Sequence, residues 1–495
     1  MLFNSYAFIF LYLPIVLIGF FQLGRINHAW AAGWLALASL FFYGFWNPAY
    51  VGLLLGSIAC NYTLGMWIAK AGSQHAEQNK KLLLIVAITA NLLLLAYYKY
   101  TNFLITSINA ISGLEFGVSN IILPLGISFF TFTQIAFLVD TYQGKVKEYN
   151  FVHYLLFVTY FPHLIAGPVL HHRDMMPQFV HSSTYRVNWD NLATGMLLFT
   201  LGLCKKVLWA DSLAPFATAI FEGTQHGMTI NVLPTIYEAW SGALAYTLQI
   251  YFDFSGYTDM ALGVALMFNI RLPINFNSPY QSTSIIEFWR RWHITLSTFL
   301  RDYLYIPLGG NRHGKLRRYG NLFLTMLLGG LWHGACWSFV IWGAMHGAYL
   351  AINHLWRELI AEKYLHWIPN WLGALTGGTL TFIAVVTAWV MFRSNDMAQA
   401  ITLIKAMFGI NAHYITFDEV MHGNLLMLTD LSGRDLLRLL VAGLLWVWLF
   451  PNSARLRLIG NNYGFVLLQA VMVLAVLYLV LDQFGSYSPF LYFQF

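Results

Sequence analysis

Charged residues are scarce in this chain, and their scarcity excludes an ordinary soluble fold. Asp, Glu, Lys and Arg make up 10% of the 495 residues, whereas hydrophobic residues make up 58%. A soluble domain has about 25% charged residues. The composition therefore predicts an all-α polytopic integral membrane protein. We expect its net charge of +6 to mark cytoplasmic loops rather than a nucleic-acid partner, because Lys and Arg concentrate there in membrane proteins.

Cysteines and short catalytic motifs are also sparse. The cysteines lie in apolar stretches without CxxC or Cys/His spacing, so neither a disulfide framework nor a metal site is predicted: Cys60, Cys204 and Cys336. The chain has no GxSxG, phosphate-binding loop or dinucleotide fingerprint. It has no repeat of fixed period, which argues against an inverted-repeat transporter. The N-terminus lacks the charged region of a signal peptide, so its first apolar run is expected to be a retained span.

Apolar runs recur from end to end. A membrane helix needs about 20 residues, and the runs predict roughly 10–12 spans in one lipid-embedded body: 5–24, 28–46, 49–69, 82–98, 120–140, 151–170, 191–209, 236–268, 321–352, 372–392, 436–450 and 464–481. The runs 120–140 and 151–170 contain "LPLGISFF" and "FPHLIAGPV". Prolines and glycines at membrane depth predict broken or re-entrant helices that are buried in protein or line a cavity.

The chain is expected to form a single membrane body. We expect N-terminal spans over 1–118, a catalytic core over 119–352, C-terminal spans over 353–483 and an aromatic tail over 484–495. Lysines follow the third and fifth runs, and four basic residues lie in "NRHGKLRRYG". These loops are expected to be cytoplasmic, which places both termini on the outer side.

The stretch 282–310 differs from a plain span. It mixes Trp289, Trp292 and Phe299 with arginines, a pattern that suits an interfacial amphipathic helix. Ser282 or Ser284 is expected to cap it, with a glutamate three residues after Ser284 completing a capping box.

Two histidines are the main catalytic candidates. The stretch 325–350 has no charged residue yet contains His333 and His346, and an ionisable group in such a run is a functional candidate. His293, forty residues upstream of His333, could orient or polarise a reactant while His333 accepts a proton. A hydrogen-bonded core histidine remains the alternative. Cys336 raises a Cys–His nucleophile, which is disfavoured because the run has no basic group to activate the thiol.

Two carboxylates, Asp253 and Asp259, lie in the apolar stretch "YFDFSGYTDMALG". Paired with a histidine or arginine they could fix a tautomer, whereas unpaired they would be very costly in this setting. Their six-residue spacing separates them around a helix, which favours orienting or structural roles over a catalytic pair.

The ordered motifs resemble those of the membrane-bound O-acyltransferases. "RRWHITLSTFLRDYLYIPLGG" followed by "GGLWHGACWSFVIWGAMHG" is similar to the family signature, and "LPLGISFFTF", "YFPHLIAGPV" and "FDFSGYTDMALG" resemble the bacterial branch that O-acetylates alginate or peptidoglycan. The resemblance implies a crescent of helices around a central funnel. It also implies catalytic roles for His333 and His293.

The resemblance further implies a donor, a partner and a location. The donor is acetyl-CoA, with no bound cofactor, and the partner is a separate periplasmic SGNH-type subunit that esterifies a polysaccharide. The location is the bacterial inner membrane, with periplasmic termini. Donor binding is assigned to Trp332, Arg290, Arg291, Arg312, Lys315, Arg317 and Arg318, and orienting roles to His346 and His163. The basic loop could instead serve only as a cytoplasmic anchor.

The tail "SPFLYFQF" carries one hydroxyl-bearing aromatic side chain, Tyr492. A phenol has a pKa of ~10, close to that of a thiol, so Tyr492 is suited to carry an acetyl group from a thioester. The last run ends near residue 481, about eleven residues before Tyr492. An extended chain of that length reaches ~35 Å, more than half the thickness of a bilayer. The ending resembles the F-x-Y-F-x-F terminus of the small subunit in teichoic-acid D-alanylation. An aromatic belt at the membrane interface is the alternative.

Two other functions compete with a polysaccharide acetyltransferase. One is a transporter or flippase that moves an acyl donor without chemistry, since intramembrane histidines suit both. Release of CoA distinguishes the two. The other is a lipid or protein acyltransferase of the same superfamily, against which an outward-facing terminal tyrosine argues.

Overall fold

The computed structural model describes residues 1–70, 76–229, 233–361, 369–410, 412, 432–453 and 490–491. These residues form helices and turns, and no β-strand occurs among them. Within the described ranges, five helical stretches are long and apolar enough to cross a membrane: Ala7–Ile26, Ala49–Lys70, Glu77–Ser112, Trp189–Gln225 and Asn370–Arg393. The predicted all-α polytopic membrane fold is confirmed. The chain divides into two compact units, Met1–Leu203 with Tyr257–Ile274, and Cys204–Gly256 with Asn275–Phe495.

The first unit contains the N-terminal helices. They are α1 (Leu13–Ile26), α2 (His28–Gly44), α3 (Ala49–Lys70), α4 (Ala76–Leu95), α5 (Thr101–Ser112), α6 (Ile127–Tyr142), α7 (Phe151–Thr159), α8 (His172–Met175) and α9 (Trp189–Cys204). Asparagine caps begin two of them: Asn27 accepts from the Ala29 N–H, and Asn150 accepts from the N–H groups of Val152 and His153. Such side chains satisfy N–H groups that have no partner inside the helix.

Both predicted helix breaks in this unit are present. Helix α6 begins only after Gly126, and α7 ends at Thr159, ahead of the turns that contain Pro162 and Gly167. Gly126 has a φ of 71°, and a Cβ atom there would lie 2.9 Å from the Leu164 carbonyl oxygen. A side chain at this position is therefore excluded both by the left-handed backbone and by the neighbouring segment.

The second unit is built around α11. After a π-helical turn, Lys205–Ala210, its helices are α10 (Asp211–Thr229), α11 (Ile236–Met267), α12 (Ile285–Arg291), α13 (Ile294–Leu300), α14 (Lys315–His333), α15 (Trp337–Trp356), α16 (Asn370–Arg393), α17 (Met397–Met407) and α18 (Gly433–Leu449). Helix α11 continues into the first unit. Its buried core in the second unit is rich in large aromatic side chains, including Trp342 and Trp389, which are each 1% exposed.

The run 321–352 is two helices rather than the single span that was predicted. Helix α14 ends at His333, the chain turns at 334–336, and α15 packs closely against α14. Glycines make this contact possible: a Cβ atom on Gly330 would lie 2.3 Å from the Phe339 carbonyl oxygen, and one on Gly343 would lie 2.4 Å from that of Met326. The small residues therefore serve the approach of one helix backbone to the other.

The predicted interfacial helix over 282–310 is also wrong. The stretch forms two seven-residue helices, α12 and α13, that meet at His293. Its three large aromatic side chains are buried, with exposures of 9%, 3% and 5%: Trp289, Trp292 and Phe299. The break in the backbone turns them into the protein core. The cap is as predicted, because Ser284 accepts from the Glu287 N–H, but the glutamate carboxylate accepts from Thr283 instead of completing the box at Ser284.

Candidate active site

His333 lies where α14, α15 and α16 meet the bend between α12 and α13. It is the last residue of α14 and is 7% exposed. Its ring centroid lies 5.2 Å from that of Trp342 on α15, 5.5 Å from that of Phe392 on α16 and 6.2 Å from that of His293. Trp332, a predicted donor-binding residue, is within 5.0 Å of His333 and 6.4 Å of His293. The two predicted catalytic histidines are therefore brought together inside an aromatic enclosure.

His293 occupies a strained backbone position. Its φ and ψ angles are 44° and 53°, in the left-handed region that a residue with a side chain seldom adopts. The ring is fully buried, with the Phe254 ring 4.9 Å away edge-on. Strain of this kind persists only where surrounding contacts enforce it, and it concentrates at functional sites.

Asn275 enforces that position and determines which nitrogen of His293 carries the proton. Its side-chain oxygen accepts from the Thr295 N–H at 3.2 Å and the Thr295 hydroxyl at 3.0 Å, so this oxygen faces the loop. His293 Nδ1 lies 3.1 Å from the same oxygen and must donate to it. The neutral ring then has its lone pair on Nε2, which makes Nε2 the nitrogen able to accept a proton. Asn275 was not among the predicted site residues.

His346, a predicted orienting residue, lies one aromatic layer away. It is fully buried, and its Nδ1 accepts from the Trp289 indole N–H at 3.2 Å. Its ring lies 4.8 Å from that of Trp342, the side chain that also contacts His333. This contact places His346 behind the tryptophan, where it can fix the position of Trp342 but does not itself contact the His333 ring.

Asp253 pairs with a lysine. Lys206 Nζ lies 2.8 Å from Asp253 Oδ1 and 2.8 Å from Asp211 Oδ1. The other oxygen of Asp253, Oδ2, accepts from the backbone N–H of Leu491 at 3.0 Å. Leu491 belongs to the same buried apolar cluster as Trp342 and Phe392. Phe490 and Leu491 are therefore buried in the unit that holds the two histidines.

The predicted donor-binding cations differ in how they are engaged. Lys315 and Arg318 both pair with Glu358, at 2.8 Å and 3.4 Å, and the hydrogen bond from Lys315 lowers the pKa of Glu358. Arg291 pairs with Glu287 at 2.6 Å. The remaining three are exposed and form no ion pair within the described part of the chain: Arg290, Arg312 and Arg317. These three are the cations best placed to meet an anionic ligand.

The other predicted residues have different surroundings. His163 and Asp259 are buried in the first unit. Cys336 is the residue before α15 and lies 3.5 Å from the Ser338 hydroxyl. Tyr492 lies outside the described residues. Among the residues that are described, no group of three His, Cys, Asp or Glu side chains could hold a metal ion.

Two further pairs of buried charged or ionisable residues could have been predicted from the sequence. In the first unit His172 Nδ1 lies 3.0 Å from Asp140 Oδ2, and both side chains are 6% exposed. An acidic residue within the apolar run 120–140 and the adjacent histidines of "LHHRD" pointed to such a pair. Lys205 and Lys206 within the run 191–209 likewise pointed to the buried ion pair with Asp253.

We expect Asn275→Ala to reduce turnover about 100-fold, because general acid–base groups contribute about 10²–10⁴ and His293 would lose its orientation and its proton position. Asn275→Asp keeps an acceptor oxygen and should retain more activity than the alanine variant. Asn277→Ala is the control, since the hydrogen bonds found for Asn277 use its backbone. The measurement is the rate of the acyl transfer that the sequence resemblance predicts. Equal rates for Asn275→Ala and Asn277→Ala would contradict the orienting role.

The chain is similar to known acyltransferases. The model of the membrane-bound O-acyltransferase family, MBOAT, matches residues 40–387. A peptidoglycan O-acetyltransferase of Helicobacter pylori is 40% identical over 100% of this chain and 98% of its own length. A probable alginate O-acetylase of Azotobacter vinelandii is 45% identical over 82% of this chain and 78% of its own. A teichoic acid D-alanyltransferase of Bacillus subtilis is 29% identical over 51% of this chain and 63% of its own.

Proposed function

Because the chain belongs to the membrane-bound O-acyltransferase family, we propose that it transfers acetyl from cytoplasmic acetyl-CoA, through Tyr492, to a periplasmic partner that O-acetylates a polysaccharide. The observation that carries this proposal is the burial of Phe490 and Leu491, the two residues before Tyr492 in the sequence, in the unit that contains His293 and His333. The relatives that cover most of this chain are named for O-acetylation of peptidoglycan and alginate. An envelope or exported polysaccharide is accordingly the proposed acceptor.

The first step is acetylation of Tyr492. His333 accepts the phenolic proton while the phenol oxygen attacks the thioester carbonyl carbon. The C–S bond breaks, the thiolate takes the proton from His333, and free CoA leaves. The products are one acetyl phenyl ester and one CoA thiol. His333 is suited to this role because it ends α14, where the helix dipole favours the positive charge that a base acquires, by about 0.3–1 kcal/mol.

His293 and Trp332 support the same step. In the tautomer that Asn275 imposes, His293 Nε2 has a lone pair and lies within the aromatic enclosure around His333. It can hold the Tyr492 hydroxyl or relay its proton. The buried Trp332 ring, beside both histidines, offers an apolar wall for the acetyl group and excludes water, which would otherwise hydrolyse the ester.

The second step delivers the acetyl group outward. A hydroxyl of the partner, proposed to be an SGNH-type hydrolase-like subunit, attacks the phenyl ester and regenerates the Tyr492 phenol. An ester of a phenol with a pKa of ~10 is nearer in transfer potential to a thioester than an ester of a sugar alcohol is. Loading is therefore not strongly uphill, and transfer to a polysaccharide hydroxyl is downhill. CoA itself stays on the cytoplasmic side because it is large and charged.

We expect Arg312→Ala combined with Arg317→Ala to raise the KM for acetyl-CoA about three- to tenfold with little change in kcat. Exposed pairs between these guanidinium groups and the CoA phosphates contribute about 1 kcal/mol or less each. Lys315→Ala is the matched variant and should have a smaller effect, since Lys315 is already paired with Glu358. An unchanged KM in the double variant would leave the loop with an anchoring role only.

The experiment that tests the reaction class uses the purified protein in liposomes with acetyl-CoA outside and the periplasmic partner inside. The proposal predicts stoichiometric release of free CoA outside, and acetyl transfer to the partner inside. Movement of intact acetyl-CoA into the lumen without CoA release would instead identify a transporter. Acetylation of lipid rather than of the partner would identify a lipid acyltransferase.

A further inference from the structure

A buried ion cluster borders the second unit's apolar core. Lys206 lies between Asp211 and Asp253, and the side chains of Lys206 and Asp253 are 2% and 3% exposed. Lys205, the residue before Lys206, contacts the Ser453 hydroxyl at 3.2 Å. Buried charges are costly to desolvate and persist only where each has close partners, so the arrangement is strictly constrained.

The lysines lie on a π-helical turn, Lys205–Ala210, between α9 and α10. A π-helical turn widens the helix by one residue and is often found at functional sites. Here it follows directly on α9, and Lys206 extends from it to Asp253 on α11. The ion pair thereby joins the π-helical turn to α11 at the residue that also binds Leu491.

Asp253 divides its two oxygens between the lysine and the tail. Oδ1 receives the Lys206 ammonium at 2.8 Å, and Oδ2 accepts from the Leu491 N–H at 3.0 Å. The Lys206 ammonium also lies 4.9 Å from the centroid of the Phe490 ring, within the range of a cation–π contact. Both tail residues are buried, with exposures of 1% for Phe490 and 8% for Leu491.

We propose that Lys206 and Asp253 form a tail clamp that sets the register of the C-terminal segment and so positions Tyr492 for acetylation. The inference rests on the proposed role of Tyr492 as the acetyl carrier. Asp253 holds the main chain of the residue directly before Tyr492, and consecutive Cα atoms are ~3.8 Å apart, so the grip at Leu491 limits where the phenol can reach. Because Asp253 accepts from the Leu491 backbone N–H, the clamp requires no side-chain atom of Tyr492.

The clamp predicts that loss of the Leu491 N–H donor slows the acetylation of Tyr492. Leu491→Pro eliminates the N–H that Asp253 accepts while every clamp side chain is kept. Leu491→Ala keeps the N–H and removes only apolar contact. Hydrogen bonds to charged groups are among the stronger ones in proteins, so we expect Leu491→Pro to slow acetylation of Tyr492 about tenfold or more. The alanine variant should show a clearly smaller loss.

A second readout measures docking without any chemistry. Full-length protein in detergent is treated with carboxypeptidase, and the intact mass is followed as residues are removed from the C-terminus. The clamp predicts that digestion proceeds past residue 491 much faster in Leu491→Pro than in Leu491→Ala. On the body side, Asp253→Asn keeps an oxygen acceptor for the Leu491 N–H, whereas Asp253→Leu does not, so the asparagine variant should protect the tail better. The unfolding temperature of each variant separates loss of docking from loss of the fold.

The outcomes separate the clamp from the function on which it rests. Faster digestion and slower Tyr492 acetylation in Leu491→Pro, with an unchanged unfolding temperature, support the clamp. Equal digestion and equal acetylation in the proline and alanine variants overturn it, even if wild-type Tyr492 is acetylated. Failure of the proposed function is read from the wild-type protein alone: if acetyl-CoA never acetylates Tyr492 there, the carrier role falls, and with it the positioning role of the clamp.

Discussion

Tyr492→Phe is expected to abolish O-acetylation of the polymer while the protein remains folded and in the membrane. The substitution removes one oxygen atom and keeps the aromatic ring, so packing of the tail is preserved and only the acetyl acceptor is lost. A carrier that forms a covalent ester has no substitute for its nucleophile, so the expected loss reaches the detection limit rather than a modest fraction. Ester-linked acetate released from purified polysaccharide by mild alkali measures the result.

The same tail supplies the matched control. Tyr487 is a second tyrosine five residues earlier, and Tyr487→Phe makes the same chemical change without touching the proposed carrier. We expect normal acetylation from Tyr487→Phe. Normal acetylation from Tyr492→Phe would remove the carrier step and leave the tail as an aromatic anchor at the membrane interface.

His333→Ala is expected to reduce the release of CoA from acetyl-CoA by about 10²–10⁴-fold, the usual contribution of a general base. The side chain is packed edge-on against Trp342 and Phe392, so His333→Gln, which keeps more of the volume, separates lost chemistry from lost packing. Both variants should be inactive, and the glutamine variant should be the more stable. The rate of CoA thiol release at saturating acetyl-CoA is the measurement.

His181→Ala serves as the matched histidine control, because His181 is exposed and belongs to the first unit, whereas His333 belongs to the second. Its CoA release should equal that of the wild type. If His333→Gln released CoA at the wild-type rate, His333 would be a buried structural histidine, and the base would have to be sought elsewhere in the enclosure.

The sequence predicted the features that depend on local chemistry. Pro124, Gly126 and Pro162 disfavour a continuous helix, so the interruptions before α6 and after α7 could be predicted from the sequence. His333 was conspicuous because a neutral run of that length seldom tolerates an ionisable group. Its partner His293 was found through the signature that the chain shares with the acyltransferases.

Other features depend on contacts between distant segments, and the sequence could not reveal them. Asn275 acts through a left-handed backbone at His293 that no local pattern announces. The pairing of Asp253 with Lys206 joins residues far apart in the chain. The tryptophans and arginines of 282–310 have the same pattern whether their apolar face meets lipid or protein, and only the break at His293 decided between the two.

Leu491 illustrates both what the sequence could predict and what it could not. Its sequence neighbourhood suggested an aromatic tail with one chemically useful hydroxyl, and the reach of the chain allowed that tail to return to the membrane centre. The hydrogen bond from its N–H to Asp253 is a finding of the structure alone. It shows that Leu491, the residue before the proposed carrier, is held by a residue of α11.

The most direct test of this account is the mass of the C-terminal peptide after incubation of the wild-type protein with acetyl-CoA and without its periplasmic partner. We predict a species one acetyl group heavier, with fragmentation placing the added mass on Tyr492, and depletion of that species when the partner is added. A C-terminal peptide that stays unmodified while CoA is released and the polymer is acetylated would contradict the account.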